Sequence, residues 1–307
     1  MLRFLCIFLL VNLFGFSQNN GTCFKLEQKI PESFPFYANI TEINNGKIIF
    51  KKKFQYIDSL CFYGFDYQSF DNLKIRGFLI EPKIKGKYPV IIFNRGGNNT
   101  YGAVPFSLLA SFLGKIASKG FIIIGSQLRG GTPNSGNDEF GGKDVNDVLQ
   151  LFDIIDQLPN ADQNSISMIG WSRGVITNFQ VLKKTDRIKN CISIAGLADL
   201  SKTHRPEMFK VYRSCIPNYY KDSITKLRAR SCLLAVDSIK NKLVNHFLIH
   251  GAVDSRVKVE NTYWLSKKLT EKNFKVKLQI YDDGEHDLKE QLEDLIVIIN
   301  KWLQSLI

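Results

Sequence analysis

Four histidines, three tryptophans, three methionines and nine prolines are all that the 307 residues contain of these types. Acidic residues are scarce too: 29 Asp and Glu stand against 41 Lys and Arg, a net charge of +12. Few prolines and no glycine period exclude a collagen-like chain, and 44% hydrophobic with 23% charged residues excludes a disordered one. Six cysteines are too few for a disulfide-dense miniprotein, and a chain this long buries a core without staples. No two cysteines have C-x-x-C spacing, so zinc-ribbon and thioredoxin-like patterns are missing. Internal repeats and low-complexity linkers are also missing, which favours one large α/β unit over two ordinary domains. The positive charge would suit nucleic acid, but no nucleic-acid motif accompanies it, and charge bears on solubility and steering rather than fold.

The longest apolar run, Phe4–Phe16, has 13 residues, short of the roughly 20 that a bilayer span needs. Arg3 precedes it, and Gly15 and Ser17 supply small side chains before Gln18, so residues 1–17 read as a secretory signal peptide. The expected product is exported, secreted or periplasmic, with 290 residues and a charge of +11. No stable membrane insertion is expected. Export would let Cys23–Cys61 and Cys215–Cys232 each close a loop, while Cys191 opens an apolar run and reads as a buried free thiol. Asn20-Gly21-Thr22, Asn39-Ile40-Thr41 and Asn98-Asn99-Thr100 match glycosylation acceptors, although a glycan at Asn98 would crowd a loop implicated below.

Residues 18–88 read as an N-terminal extension with antiparallel edge strands at Lys47–Tyr56, Leu60–Tyr67 and Leu73–Glu81. Beyond them short apolar runs alternate with helical patterns. Pro89–Phe93, Gly120–Gly125, Ser165–Ile169, Cys191–Ala195, Phe247–Ile249 and Val276–Tyr281 suit buried strands. Val104–Lys119, Asp144–Leu158, Val175–Lys184, Val259–Leu269 and Leu288–Leu306 suit helices. This rhythm predicts an α/β fold over 89–307, a mostly parallel sheet with helices on both faces and ligands at the carboxyl ends of the strands. Residues 198–242 break the rhythm. They hold ten Lys or Arg between Lys202 and Lys242 with aromatic residues Tyr212, Tyr219 and Tyr220, and read as a small cap insertion.

Gly170-Trp171-Ser172-Arg173-Gly174 lies between a strand and a helix, the context of a G-x-S-x-G nucleophile elbow. The turn must be sharp to lift the hydroxyl, and a Cβ at either flank would collide with the neighbouring strand or helix. A serine nucleophile needs a base and an orienting acid. Of the four histidines, His204 lies in the insertion, His246 immediately precedes a strand and His250 ends it. His286 follows the last strand. The order serine, acid, histidine then fits Ser172, Asp254 and His286, each just past a strand's carboxyl end. The oxyanion donors expected are the backbone N–H of Arg173 and one from the loop Asn94-Arg95-Gly96-Gly97-Asn98. Trp171 is a candidate for lining a substrate pocket.

These motifs, together with Arg129-Gly130-Gly131, Phe140-Gly141-Gly142-Lys143-Asp144-Val145, Arg230-Ser231, His250-Gly251-Ala252-Val253-Asp254 and Gly284-Glu285-His286, occur in one order. The chain resembles the catalytic domain of the prolyl oligopeptidase family, in the α/β-hydrolase superfamily, across Pro89–Ile307. The resemblance implies Ser172 as nucleophile, Asp254 as acid and His286 as base of a serine hydrolase acting on a small peptide or ester. It implies no metal or organic cofactor and leaves the oligomeric state open. Two departures from the family pattern stand out. The residues before Pro89 are too few for the propeller that many members carry. Arg95 occupies the place of a tyrosine that often helps form the oxyanion hole, so that Arg95 is expected to add a cation for a substrate carboxylate, or to leave the hole to backbone donors such as Gly96. Arg129, Asp144 and Asp147 read as structural, the two acids at a helix start and Arg129 tying a loop to it. The rival from another class is a non-catalytic binding protein on a hydrolase scaffold.

Overall fold

The structure is a computed structural model that describes residues 24–29, 31–33, 36–133 and 135–306. The expected signal peptide, Cys6, Cys23 and the acceptor triplet at Asn20 lie outside the described residues.

Among the described residues eleven strands occur: β1 (Phe24–Lys29), β2 (Thr41–Asn44), β3 (Lys47–Phe50), β4 (Leu60–Gln68), β5 (Lys74–Pro82), β6 (Tyr88–Asn94), β7 (Ile122–Ser126), β8 (Ala161–Trp171), β9 (Ile188–Ile194), β10 (Asn245–Gly251) and β11 (Lys275–Tyr281). Nine form one sheet in the order β1-β4-β5-β7-β6-β8-β9-β10-β11. From β7 through β11 every neighbouring pair is parallel, while β1, β4 and β5 add an antiparallel edge. The β6 sequence Tyr-Pro-Val-Ile-Ile-Phe-Asn explains why this sheet is covered twice. Alternate residues point to opposite faces. Val90 and Ile92 enter one buried cluster while Ile91 and Phe93 enter the other. On the first face lie helices Asp144–Leu149, Leu151–Gln157, Arg173–Leu182 and Glu260–Glu271. On the second lie the helical stretch from Phe106 to Ala117 and helix Leu292–Gln304. This is the α/β-hydrolase arrangement.

Three features differ from the sequence expectation. Lys47–Tyr56 is not an edge strand of the main sheet. Only Lys47–Phe50 is extended, and it pairs with β2 in a separate hairpin before the chain winds into a 3₁₀ helix, Lys52–Ser59. The hairpin turns through Asn45 and Gly46 at φ 48° and 74°, the paired positive angles of a type I′ turn. The run Asp144–Leu158 divides at Gln150 into two short helices. Cys215 and Cys232 do not pair. The Cys232 thiol faces the Leu197 carbonyl at 3.2 Å, whereas the Cys215 sulfur lies 3.7 Å from the Asn99 side-chain amide, so their sulfurs address different neighbours. Among the described residues Cys61 and Cys191 have no disulfide partner either, and burial pushes the Cys191 thiol up to about 12.

Residues 198–242 form short helices, Met208–Cys215 and Ser223–Arg230 the longest. Tyr212, Cys215, Leu227, Cys232 and Val236 belong to the same buried cluster as the sheet, so this basic segment shares the main core. Tyr212 is fully buried with its ring 5.2 Å from that of Phe140, while Tyr220 is exposed. Among the described residues no helix is long and apolar enough to cross a membrane.

Candidate active site

The site gathers at the carboxyl ends of β6, β8, β10 and β11. At the tip of β8 the chain reverses through Ser172, whose φ of 56° and ψ of −118° lie where a non-glycine residue is strained. The turn is held by the Ser172 N–H donating to the Ile194 carbonyl at 2.7 Å. Both flanking glycines are required by contact. A Cβ on Gly170 would sit 2.5 Å from the Gly174 carbonyl oxygen, and one on Gly174 would sit 1.9 Å from that of Asn94. The elbow therefore wedges helix Arg173–Leu182 against the end of β6.

The sequence-derived Ser172, His286 and Asp254 meet. His286 Nε2 lies 3.0 Å from Ser172 Oγ and His286 Nδ1 lies 2.7 Å from Asp254 Oδ2. The Asp254 loop and the His286 loop are locked by backbone contact. Ala252 N–H donates to the Tyr281 carbonyl, Val253 N–H to that of Gly284, and a Cβ on Gly251 would lie 2.0 Å from the Gly284 oxygen. Glu285 adds a side-chain tie, accepting from Ser255 N–H and Oγ at 3.2 Å. Trp171 Nε1 donates to the His286 carbonyl at 3.1 Å, so the residue before the serine also steadies the base, a contact that sequence spacing does not reveal.

Asp254 is 2% exposed. Burial alone would raise its carboxyl, but hydrogen bonds from His250 and His286 and the backbone N–H of Val257 outweigh it and hold the group below the usual carboxylate range. Its Oδ1 accepts from Arg256 and Val257 N–H, each at 2.8 Å. Its Oδ2 is shared between His286 and His250 Nε2, the latter at 3.1 Å. His250 Nε2 also lies 2.8 Å from the Val257 carbonyl, which can only accept, so this nitrogen carries the hydrogen. In neutral His250, Nδ1 then accepts the Thr262 hydroxyl at 2.6 Å. The strand-end histidine is thus a partner of the acid.

Gly96 places its backbone against the serine. A Cβ there would lie 3.2 Å from Ser172 Cβ. The N–H groups of Gly96 and Arg173 are candidate oxyanion donors. The expected substrate cation, Arg95, is corrected by the structure. Its side chain is 1% exposed, and its donors go to the carbonyls of Gln127 (2.7 Å), Asn99 (2.6 Å), Gly96 (3.0 Å) and Tyr101 (3.2 Å). A guanidinium bonded to four carbonyls beneath the loop holds that loop rather than standing free as a cation for a substrate carboxylate. Burial, and next the nearby Arg173, lower its pKa to about 10. The Arg173 side chain is buried as well, binding Asp138 at 2.5 Å, Asp144 at 2.6 Å and the Gly97 carbonyl at 3.2 Å. Burial opposes its charge, but Asp144 and Asp138 prevail and raise its pKa. Asp138 in turn accepts from Asn99 N–H, and Asp144 from the N–H groups of Gly141 and Gly142. Arg129 ties its loop to the helix start at Asp147, pairing with Asp147 at 2.7 Å and also with Asp71 at 2.9 Å.

An apolar cavity of about 300 Å³ opens beside the serine, with Phe93, Leu108, Trp171 and Leu292 among its walls. Among the described residues no cluster of three His, Cys, Asp or Glu side chains is arranged to hold a metal ion.

A strained serine at a strand–helix elbow in this fold defines the class, a serine hydrolase of α/β-hydrolase architecture. The family model of the prolyl oligopeptidase family matches residues 106–305, and the chain belongs to that family. Among curated proteins it is similar to the uncharacterized peptidase YtmA of Bacillus subtilis, 26% identical over 239 residues, covering 76% of this chain and 90% of that one. The uncharacterized peptidase YuxL of the same organism is 25% identical over 72% of this chain, which spans only 35% of that relative. Solved structures that share the fold include Porphyromonas gingivalis dipeptidyl peptidase 4 (TM-score 0.64, 21% identity, 78% of this chain, 34% of that one). An acetyl xylan esterase from Paenibacillus matches with TM-score 0.62 and 15% identity, over 90% of this chain and 88% of its own.

Proposed function

We propose that this chain is an exported serine peptidase that cleaves through an acyl-enzyme on Ser172, with His286 as base and Asp254 as orienting acid. The observation that carries the reading is the unbroken hydrogen-bonded line from Ser172 Oγ through the imidazole to a buried carboxylate. As Oγ bonds to the substrate carbonyl carbon, its proton passes to His286 Nε2 and the carbonyl oxygen takes the negative charge, facing the N–H groups of Gly96 and Arg173. Collapse breaks the carbon–nitrogen bond, and the departing nitrogen takes the proton from His286. Water then repeats the sequence and releases the acid. An ester follows the same steps with oxygen departing. Asp254 keeps the imidazole in the tautomer that presents a bare Nε2 to the serine.

A fluorophosphonate probe tests this directly. The wild type should take up one label, located on Ser172 by peptide mass spectrometry, and Ser172→Ala should take up none and lose at least about 10³-fold in kcat/KM. An unlabelled wild type would favour the non-catalytic binding scaffold. Export rests on the apolar run Phe4–Phe16 and the small residues before Gln18. The intact mass of protein collected outside the cytoplasm should correspond to a chain beginning at Gln18.

A further inference from the structure

The cavity of about 300 Å³ shares walls with each part of the site. Gly96 belongs to the oxyanion loop, Trp171 precedes the serine, and Asp287 follows the base. Around a tetrahedral carbon on Ser172 Oγ, the oxyanion faces Gly96 and Arg173. The departing atom must lie under His286 Nε2, because it takes its proton there. A cavity walled by residues of the base's own loop, and by the indole that donates to the His286 carbonyl, lies on the departing side of that carbon. Its lining is mostly apolar. Phe93, 2% exposed, stands in the wall with half-buried Leu108, Trp171 and Leu292. Three charged residues stand in the wall: Asp287 and Lys289 are exposed and of opposite sign, and Arg95 is buried with its guanidinium bonded to four backbone carbonyls.

We infer that this cavity receives the apolar side chain of the first residue on the leaving side of the scissile bond, which makes large apolar leaving residues such as Leu or Phe the preferred class. The inference rests on Ser172 being the nucleophile. A volume near the low end for ligand pockets suits one side chain rather than an extended segment. Burying that side chain strengthens formation of the acyl-enzyme, whereas hydrolysis of the acyl-enzyme proceeds after the leaving residue has gone.

Peptides with one common, N-blocked acyl half and Leu, Phe, Gly or Asp as the leaving residue would test this in wild type and in Leu292→Asp. Leu and Phe should exceed Gly and Asp by about 10- to 100-fold in kcat/KM in the wild type. Leu292→Asp should compress that ratio at least about fivefold. In a second measurement, the acyl-enzyme made from an activated ester of the same acyl half should partition to leucinamide over glycinamide as added acceptors, because acceptor attack is the reverse of leaving. Equal rates across leaving residues, an unchanged ratio in Leu292→Asp, or equal partitioning would overturn the inference. Fluorophosphonate labelling of Ser172 in both proteins separates the two levels. If labelling is intact and no preference appears, only the pocket assignment falls. If wild type is not labelled, the nucleophile reading falls and this inference falls with it.

Discussion

At the scale of single residues, the feature with the most direct chemical consequence is the sharing of Asp254 Oδ2 between His286 and His250. A hydrogen bond to a charged group contributes about 1.5–3 kcal/mol. Losing one of the several donors on Asp254 would free the carboxylate to rotate away from His286 Nδ1. His250→Leu is therefore expected to lower kcat about tenfold with little change in KM, and His250→Gln, which keeps a donor, to recover part of the loss. Steady-state kinetics on one peptide substrate would check both. Four histidines made elimination effective in the sequence, so Ser172, Asp254 and His286 were legible by order and by their positions after strands. His250 was legible only as a strand-end residue. Its partnership with Asp254 depends on the loop folding back within four residues, which spacing does not reveal. Of the two readings of Arg95, the substrate cation is disfavoured for a related reason. A cation beside a reactive serine suggests a ligand contact, but here the loop curls over the side chain and offers it four carbonyls.

Among the elements, the elbow is the least tolerant. With 1.9 Å between a Gly174 Cβ and the Asn94 carbonyl oxygen, Gly174→Ala must push helix Arg173–Leu182 away from β6. Overpacking of a filled site typically costs 1–3 kcal/mol, and both opposing groups here are backbone. A loss of at least about 2 kcal/mol is expected, read as a lower urea midpoint with an unchanged slope. The parallel strands were legible because apolar runs buried on both faces leave little alternative. The N-terminal part was less so. The aromatic and aliphatic residues of Lys47–Tyr56 suggested one strand, yet the chain winds into a 3₁₀ helix, Lys52–Ser59, in which Ile57 alone is buried. The Asn45-Gly46 turn was the available signal for the hairpin. Edge strand β1 shows a burial pattern interrupted by exposed charges and carries little periodic signal.

For the whole molecule, stability in acid is governed in part by a residue far from the chemistry. His246 is fully buried between the rings of Phe179 and Phe274, at 5.7 and 5.3 Å, and neither ring nitrogen has a partner. Burial lowers its pKa from the ordinary 6.5 to about 3. Between these values the unfolded chain binds a proton that the folded chain refuses, so stability is complete above about pH 6.5 and falls as the pH is lowered toward 3. Between pH 7 and pH 5 this one group should remove about 2 kcal/mol. His246→Phe keeps a ring in the slot and removes the proton site. The drop in Tm between pH 7 and pH 5, measured by scanning calorimetry, should be smaller in the variant than in wild type.

The buried charges beneath the oxyanion loop carry a consequence of another kind. Arg95 and Arg173 lie with Asp138 and Asp144 in a region where none is more than 2% exposed, and the four charges sum to zero. Replacing any one by a neutral residue strands a charge in the interior, which is far more damaging than removing a balanced pair. Such a quartet tolerates the loss of one cation together with one anion far better than the loss of either alone. The loop and elbow that flank the serine are therefore tied to one another by charge, whereas Leu108 and Leu292 in the walls of the neighbouring cavity can change without disturbing that balance.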